Sequence, residues 1–350
     1  MLHNRCLKGF RNSGTQGGIQ MTNYSQFKLA AIQAAPLYFD PTASIIKACR
    51  FIQKAGEQDA AIVAFGECWL PGYPFFVWGE YALNNAIVPE YLANAVEIPS
   101  ATTDELCKAA RQANTDVVIG VAERDSRSRG TVYCTLLFIG SDGEILGRHR
   151  KLKPTYRERT AWGEGDGSSL VVYERPYGRI SGLNCWEHNM VLPGYALMDQ
   201  GTQIHIAAWP GMSDSRHLFL SQAFASQAAA YVIDVGSLLA PEHLTSAIRK
   251  VIDENPGEVA EIVSEGYTGE SCIIDPQGRV IAGPLEGEEI LIADCYEERI
   301  LLAKAECDVA GHYSRPDVFQ LRVNRAPHRR VVEAQEPNSE TTEFETVSDE

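Results

Sequence analysis

"GRISGLNCWEH" occupies residues 178–188. Residues 178–185 form an apolar, strand-like run that stops at a thiol, Cys185, and residues 190–200 then switch to helical spacing. The same alternation recurs along the chain. Further strand-like runs cover 28–36, 60–67, 116–124, 131–140, 144–151, 168–174, 203–210, 231–239, 271–275 and 289–296, and helical patterns cover 41–54, 103–113, 218–230 and 296–304. "SDGE" (141–144) and "DPQG" (275–278) mark hairpin turns. Strands, hairpins and helices stay mixed, and no Pro/Ser-rich linker interrupts them. The expected class is α/β in one domain, its sheets covered by helices.

Composition narrows the function classes. The chain has 350 residues, 45% of them hydrophobic and 22% charged, enough for a sizeable core. A formal charge of −15 argues against nucleic acid or an anionic membrane as partner, because a like-charged field repels both. Part of that charge is local: after Arg330 no Lys or Arg remains, while Glu333, Glu336, Glu340, Glu343, Glu345, Asp349 and Glu350 accumulate. Residues 326–350 are therefore expected to form an acidic, disordered, solubilising tail. The nine cysteines include no CxxC pair, and a chain this long needs no staples, so a reducing, cytoplasmic setting fits best. No apolar run reaches the roughly 18 residues of a membrane span. Residues 1–22 carry Arg5, Lys8 and Arg11 but no apolar signal segment, and read as an extension ahead of a domain over 23–325.

Three strand ends carry chemistry. The run 60–67 finishes in Glu67, 144–151 in Lys151 and 178–185 in Cys185. In α/β sheets, loops at strand ends present side chains from a rigid platform. A thiol near pKa 8.5 is only a few per cent ionised at neutral pH and needs a base, while an ammonium favours thiolate and stabilises a developing anion. Each residue also has a plainer explanation: core packing for Cys185, the first solvated position for Glu67, and a solvated basic run, 148–151, for Lys151. Lys153 competes with Lys151, since two residues on a strand share a face. A Cys185–His188 metal pair lacks further spaced ligands, so no metal and no organic cofactor is expected.

Five stretches add a resemblance: "FGECWLPGYPFFVW" (65–78), "GRHRKLKPTYRERTAWGEGDG" (147–167), "GLNCWEH" (182–188), "IHIAAWPG" (204–211) and "GHYSRPDV" (311–318). Together, in this order, they resemble the nitrilases of the carbon–nitrogen hydrolase superfamily. That resemblance implies an α-β-β-α sandwich, and it implies Glu67 as general base, Lys151 as the group stabilising the tetrahedral intermediate, Cys185 as nucleophile and Glu158 as a second glutamate positioning the lysine. It prefers Lys151 over Lys153. Many family members carry proline before the glutamate where this chain has Gly66, which leaves the hold on Glu67 in question.

The implied reaction converts a nitrile, through a thioimidate and then a thioester on Cys185, to a carboxylic acid and ammonia, with the Trp186 backbone N–H assisting Lys151. Tyr73, Trp162, Trp186, His188 and Trp209 lie in or beside the motifs and are candidate pocket residues, though each also fits as packing under the site. Trp162 is the candidate for setting chain-length and aryl preference. The alternatives are an amidase or carbamoylase, a cyanide-hydrolysing enzyme, or a catalytically idle assembly protein. The resemblance also implies a homo-oligomer, a dimer that builds larger helical assemblies.

Overall fold

A computed structural model of the chain describes residues 24–211, 216–329 and 331. The N-terminal extension and residues 332–350 of the acidic tail lie outside the described residues. Among the described residues twelve strands form two six-stranded sheets. The first contains β1 (Gln26–Gln33), β2 (Ala60–Phe65), β3 (Asp116–Arg124), β4 (Val132–Ile139), β5 (Ile145–Arg150) and β12 (Glu289–Tyr296), in the order β12-β1-β2-β3-β4-β5. The second contains β6 (Tyr173–Arg175), β7 (Gly178–Asn184), β8 (Ile204–Trp209), β9 (Tyr231–Gly236), β10 (Cys272–Ile274) and β11 (Val280–Ala282), in the order β11-β10-β9-β8-β7-β6. Within each sheet three strands run parallel, β1-β2-β3 and β7-β8-β9, and the outer strands pair antiparallel.

Alternation along the strands fixes the layers. Ile62 and Ala64 of β2 join Val118, Ile204, Ile206 and Ile233 in one buried cluster, so the two sheets meet face to face. Their neighbours Val63 and Phe65 point the other way, against α1 (Pro41–Gly56) and α3 (Ala101–Ala113), while α2 (Tyr81–Asn94) packs over the edge-loop cluster around Tyr38 and Phe76. On the far side of the second sheet, Leu183, Ala207 and Val232 pack against α4 (Leu192–Met198) and α5 (Arg216–Ala228). The order helix, sheet, sheet, helix is the α-β-β-α sandwich expected. Helices α6 (Ser246–Asp253), α7 (Glu258–Glu265) and α8 (Glu297–Glu306) complete the chain.

Local chemistry explains the element bounds. Asp40 caps α1 by accepting from Ala43 N–H, with Pro41 in the first turn where its missing N–H costs nothing. Both expected hairpins form, β4–β5 around residues 141–144 and β10–β11 around 275–278. The expected strand 168–174 shrinks to Tyr173–Arg175, because only those residues find partners on β7. The pattern read as one helix over 190–200 starts instead as a 3₁₀ turn, Cys185–Met190, before Leu192–Met198. No described helix is long and apolar enough to cross a membrane.

Candidate active site

The parallel registers bring the C-terminal ends of β2, β7 and β8 to one edge of the sandwich. Glu67 follows β2, and its backbone N–H donates to Trp209 C=O at the end of β8 (3.0 Å). Gly66 makes that approach possible, since a Cβ there would sit 2.4 Å from Ser237 Oγ and 2.8 Å from Trp209 O. The glycine that left the hold on Glu67 in question is therefore a close-packing position, and its neighbour is tied at both backbone and side chain. Lys151 follows β5 and is fully buried. Its Nζ donates to Glu67 Oε1 (2.7 Å) and to Glu158 Oε2 (2.8 Å). Lys153, the competing lysine, is exposed and pairs with Glu164 away from these groups.

Glu158 is saturated with donors. Besides Lys151 it accepts Thr155 N–H (2.7 Å) on Oε2 and the Tyr73 hydroxyl (2.8 Å) on Oε1. Glu67 is not: its Oε2 is buried and has no hydrogen-bond partner among the described residues. Burial pushes the Glu67 carboxyl up to about 7, with the Glu158 charge adding to the rise and Lys151 opposing it. For Lys151 burial works against the charged form, but the two carboxylates outweigh it and hold the ammonium well above its ordinary range.

Cys185 opens the 3₁₀ turn with a left-handed backbone, φ 49°, a strained conformation for a residue with a Cβ. Burial, followed by the Glu67 charge, pushes its thiol well up; Lys151 and the Trp186 backbone N–H act in the opposite direction and are outweighed. The sequence argument expected Lys151 to favour thiolate. The ammonium does lower the thiol, but two carboxylates and burial exceed it, so the resting group is S–H. A neutral thiol beside a buried carboxylate with a free oxygen is a pair competent for proton transfer.

Glu187, from the same motif as Cys185, joins two strand ends. Its carboxylate accepts Asn184 N–H (2.8 Å) at the Cys185 turn, Leu152 N–H (2.8 Å) just past Lys151, and His149 Nε2 (3.0 Å). The His149 imidazole, though penalised by burial, is raised by this carboxylate, and Glu187 is lowered in return despite its own burial. The result is a buried ion pair clamping the lysine segment to the cysteine turn. His188 lies with its Nδ1 2.7 Å from Cys185 C=O, which only accepts, so Nδ1 carries the hydrogen. Its Nε2 meets His205 Nε2 (3.0 Å), and His205 Nδ1 meets Ser181 Oγ (2.8 Å). Burial lowers both imidazoles and keeps them neutral.

Of the aromatic candidates, Tyr73 and Trp162 stand edge to face (5.7 Å), with the Trp162 ring 5.4 Å from Lys151 Nζ. Trp209 stacks on His188 (5.2 Å), and Trp186 lies under Arg216 (4.7 Å) on the turn itself. Two residues near the carboxylates escaped the sequence argument. Tyr267 packs on Tyr73 (6.2 Å), and both carboxylates raise its hydroxyl further than burial alone. Cys134, in the middle of β4, donates its thiol to Glu67 Oε1 (3.4 Å). A tyrosine after a glycine and a cysteine inside an apolar strand carry no local signal that sets them apart. Among the described residues no group of three or more His, Cys, Asp or Glu side chains forms a metal site.

The carbon–nitrogen hydrolase family model matches residues 28–304. Over 315 residues the chain is 51% identical to "Nitrilase 2" from an unknown prokaryotic organism, covering 89% of this chain and 97% of that one. The chain belongs to the carbon–nitrogen hydrolase family, in its nitrilase branch. An aliphatic nitrilase of Rhodococcus rhodochrous is 37% identical over 320 residues, with 87% of this chain and 85% of that one covered. Among solved structures, Saccharomyces cerevisiae Nit3, a member of the nitrilase superfamily, superposes with a TM-score of 0.64 at 20% identity, covering 82% of this chain and 96% of Nit3. That likeness speaks to the sandwich. The enzyme is thus a nitrilase, a hydrolase acting on carbon–nitrogen bonds, with a nitrile as the class of substrate.

Proposed function

We propose that Cys185, Glu67, Lys151 and Glu158 hydrolyse a nitrile to its carboxylic acid and ammonia through covalent intermediates on Cys185. The observation that carries this assignment is the free, buried Oε2 of Glu67, whose other oxygen is occupied by Lys151. Glu67 takes the thiol proton as Cys185 Sγ adds to the nitrile carbon, and that proton passes to the nitrogen, giving a thioimidate. Two of the three Lys151 N–H bonds are committed to carboxylates, and the third stabilises the charge developing on nitrogen together with the Trp186 N–H. A water activated by Glu67 adds to the thioimidate, the C–N bond breaks and ammonia leaves. A second water cleaves the thioester and returns the proton to sulfur. Glu158 keeps Lys151 oriented, and Tyr73, Trp162, Trp186, His188 and Trp209 surround the reacting carbon.

The likeness to an aliphatic nitrilase of Rhodococcus rhodochrous supports an aliphatic nitrile as one substrate class, and the bulk of Trp162 supports a narrowed pocket. The eight described cysteines are all free, which supports a reducing, cytoplasmic setting. Exposed apolar side chains at Val191, Leu192, Phe219 and Phe319 support self-association into a homo-oligomer. The decisive experiment is a panel of aliphatic and aryl nitriles with acid and amide products both quantified, and Cys185→Ala as the blank. Acid and ammonia in equal amounts, absent from the blank, are expected. Turnover of the matching amides alone would overturn the assignment in favour of an amidase.

A further inference from the structure

Cys134 is buried in the middle of β4 and touches both sides of the Glu67–Lys151 pair. Its thiol donates to Glu67 Oε1 (3.4 Å), the oxygen that also takes Lys151 Nζ, and its main-chain carbonyl accepts Lys151 N–H (2.7 Å). Behind it, the Cys68 thiol interacts with both the Cys134 thiol and the Tyr91 hydroxyl. The Tyr91 oxygen in turn accepts Trp162 Nε1–H (2.9 Å). The indole N–H of Trp162 donates at one end of this cluster and the Cys134 thiol donates to Glu67 Oε1 at the other. All five side chains are buried.

We propose that Cys134 is a positioning residue for the base: with Lys151 it occupies Oε1, so that Oε2 alone faces the Cys185 thiol and the attacking water. The inference rests on Glu67 being the base. A thiol suits this place because S–H is a weak donor. It orients the carboxylate while leaving the proton affinity that a second charged donor would remove. The other groups facing Glu67 are Glu158, Cys185, Cys68 and the hydroxyls of Tyr73 and Tyr267, and among the described residues only Lys151 and Cys134 bond its carboxylate.

The test is the pH profile of kcat/KM in Cys134→Ala and Cys134→Val, which both delete the donor while one leaves a void and the other fills it. Removing a donor to the charged form raises a carboxyl, so the acid limb moves to higher pH by about half a unit in both variants. A several-fold drop in kcat with KM nearly constant accompanies it. An unmoved limb, or a shift that follows side-chain volume rather than donor loss, overturns the inference. Should both variants fail to fold, the infrared S–H stretch answers in the unmutated enzyme. A red-shifted band that moves on Glu67→Gln is expected, and its absence refutes the bond. Glu67→Gln also separates the two assignments. If it keeps full turnover, the base itself is wrong; if it is inactive while the Cys134 variants leave the limb unmoved, only the role of Cys134 falls.

Discussion

Replacing Glu158 by Gln tests the electrostatics of the site while preserving its shape. Glutamine keeps an acceptor for Lys151 Nζ and Thr155 N–H, and its amide N–H₂ can donate to the Tyr73 oxygen where the carboxylate accepted from it. What is lost is one negative charge. Glu67 and Glu158 oxygens bond the same ammonium at 2.7 and 2.8 Å. They therefore lie about 5 Å apart, where two like charges repel by about 3 kcal/mol at an effective dielectric of about 20, roughly two pH units. Part of that is screened by Lys151 between them, so about one to two pH units is the expected size. The sign follows directly. Glu158 raises Glu67, so removing its charge lowers Glu67, and the acid limb of kcat/KM moves to lower pH. A weaker base also slows proton transfer, and the plateau kcat falls on the order of tenfold. The assay is ammonia release from a saturating and a limiting nitrile concentration between about pH 5 and 9. An acid limb that stays within about 0.3 unit of the parent enzyme, or that moves upward, would refute the assignment of that limb to Glu67.

Three further outcomes are expected. Glu187→Gln breaks the buried pair with His149 and lowers stability by about 3–5 kcal/mol. The raised His149 contributes stability that is full below the ordinary histidine value and lost as pH rises through its folded value; the lowered Glu187 contributes above the ordinary carboxylate value and loses it as pH falls. The Tm gap to the parent is therefore widest between roughly pH 4.5 and 6.5, and a gap constant with pH would count against the pair. Trp162→Ala removes the ring beside Lys151 and Tyr73, and the ratio of short-aliphatic to aryl nitrile rates should fall, with Trp162→Phe changing it less. An unchanged ratio in a panel assay would remove Trp162 from substrate selection. His205→Phe keeps the stack on Phe224 but leaves His188 Nε2 without its partner, while Ser181 Oγ keeps Thr202 Oγ1, costing about 1–3 kcal/mol in a chemical-unfolding curve. Because neither imidazole exchanges protons with substrate, kcat should drop with the acid limb unmoved; a moved limb would contradict that.

Glu67, Lys151 and Cys185 drew attention because each closes a strand-like run, but each also had a plainer structural explanation, and the family resemblance joined the three. Glu158 was not legible that way. It lies in a 3₁₀ turn, Tyr156–Thr160, and only the family resemblance singled it out. The pairing of two sheets was hidden for a related reason: Ile62 and Ala64 face one core while Val63 and Phe65 face another, so β2 shows a continuous apolar run and no period of two. Helix α2 was missed because Pro89 lies inside it, against the rule that proline ends helices. The net balance at Cys185 is a sum that sequence spacing does not give. Sequence spacing pairs groups one at a time, and Lys151 beside a thiol does favour thiolate. In the fold the same ammonium is already shared by Glu67 and Glu158, so the field at the buried sulfur is set by two negative charges against one positive. A resting thiolate would add a third negative charge. On the proposed mechanism the proton on Cys185 leaves as the C–S bond forms, and Glu67, whose Oε2 has no hydrogen-bond partner among the described residues, receives it.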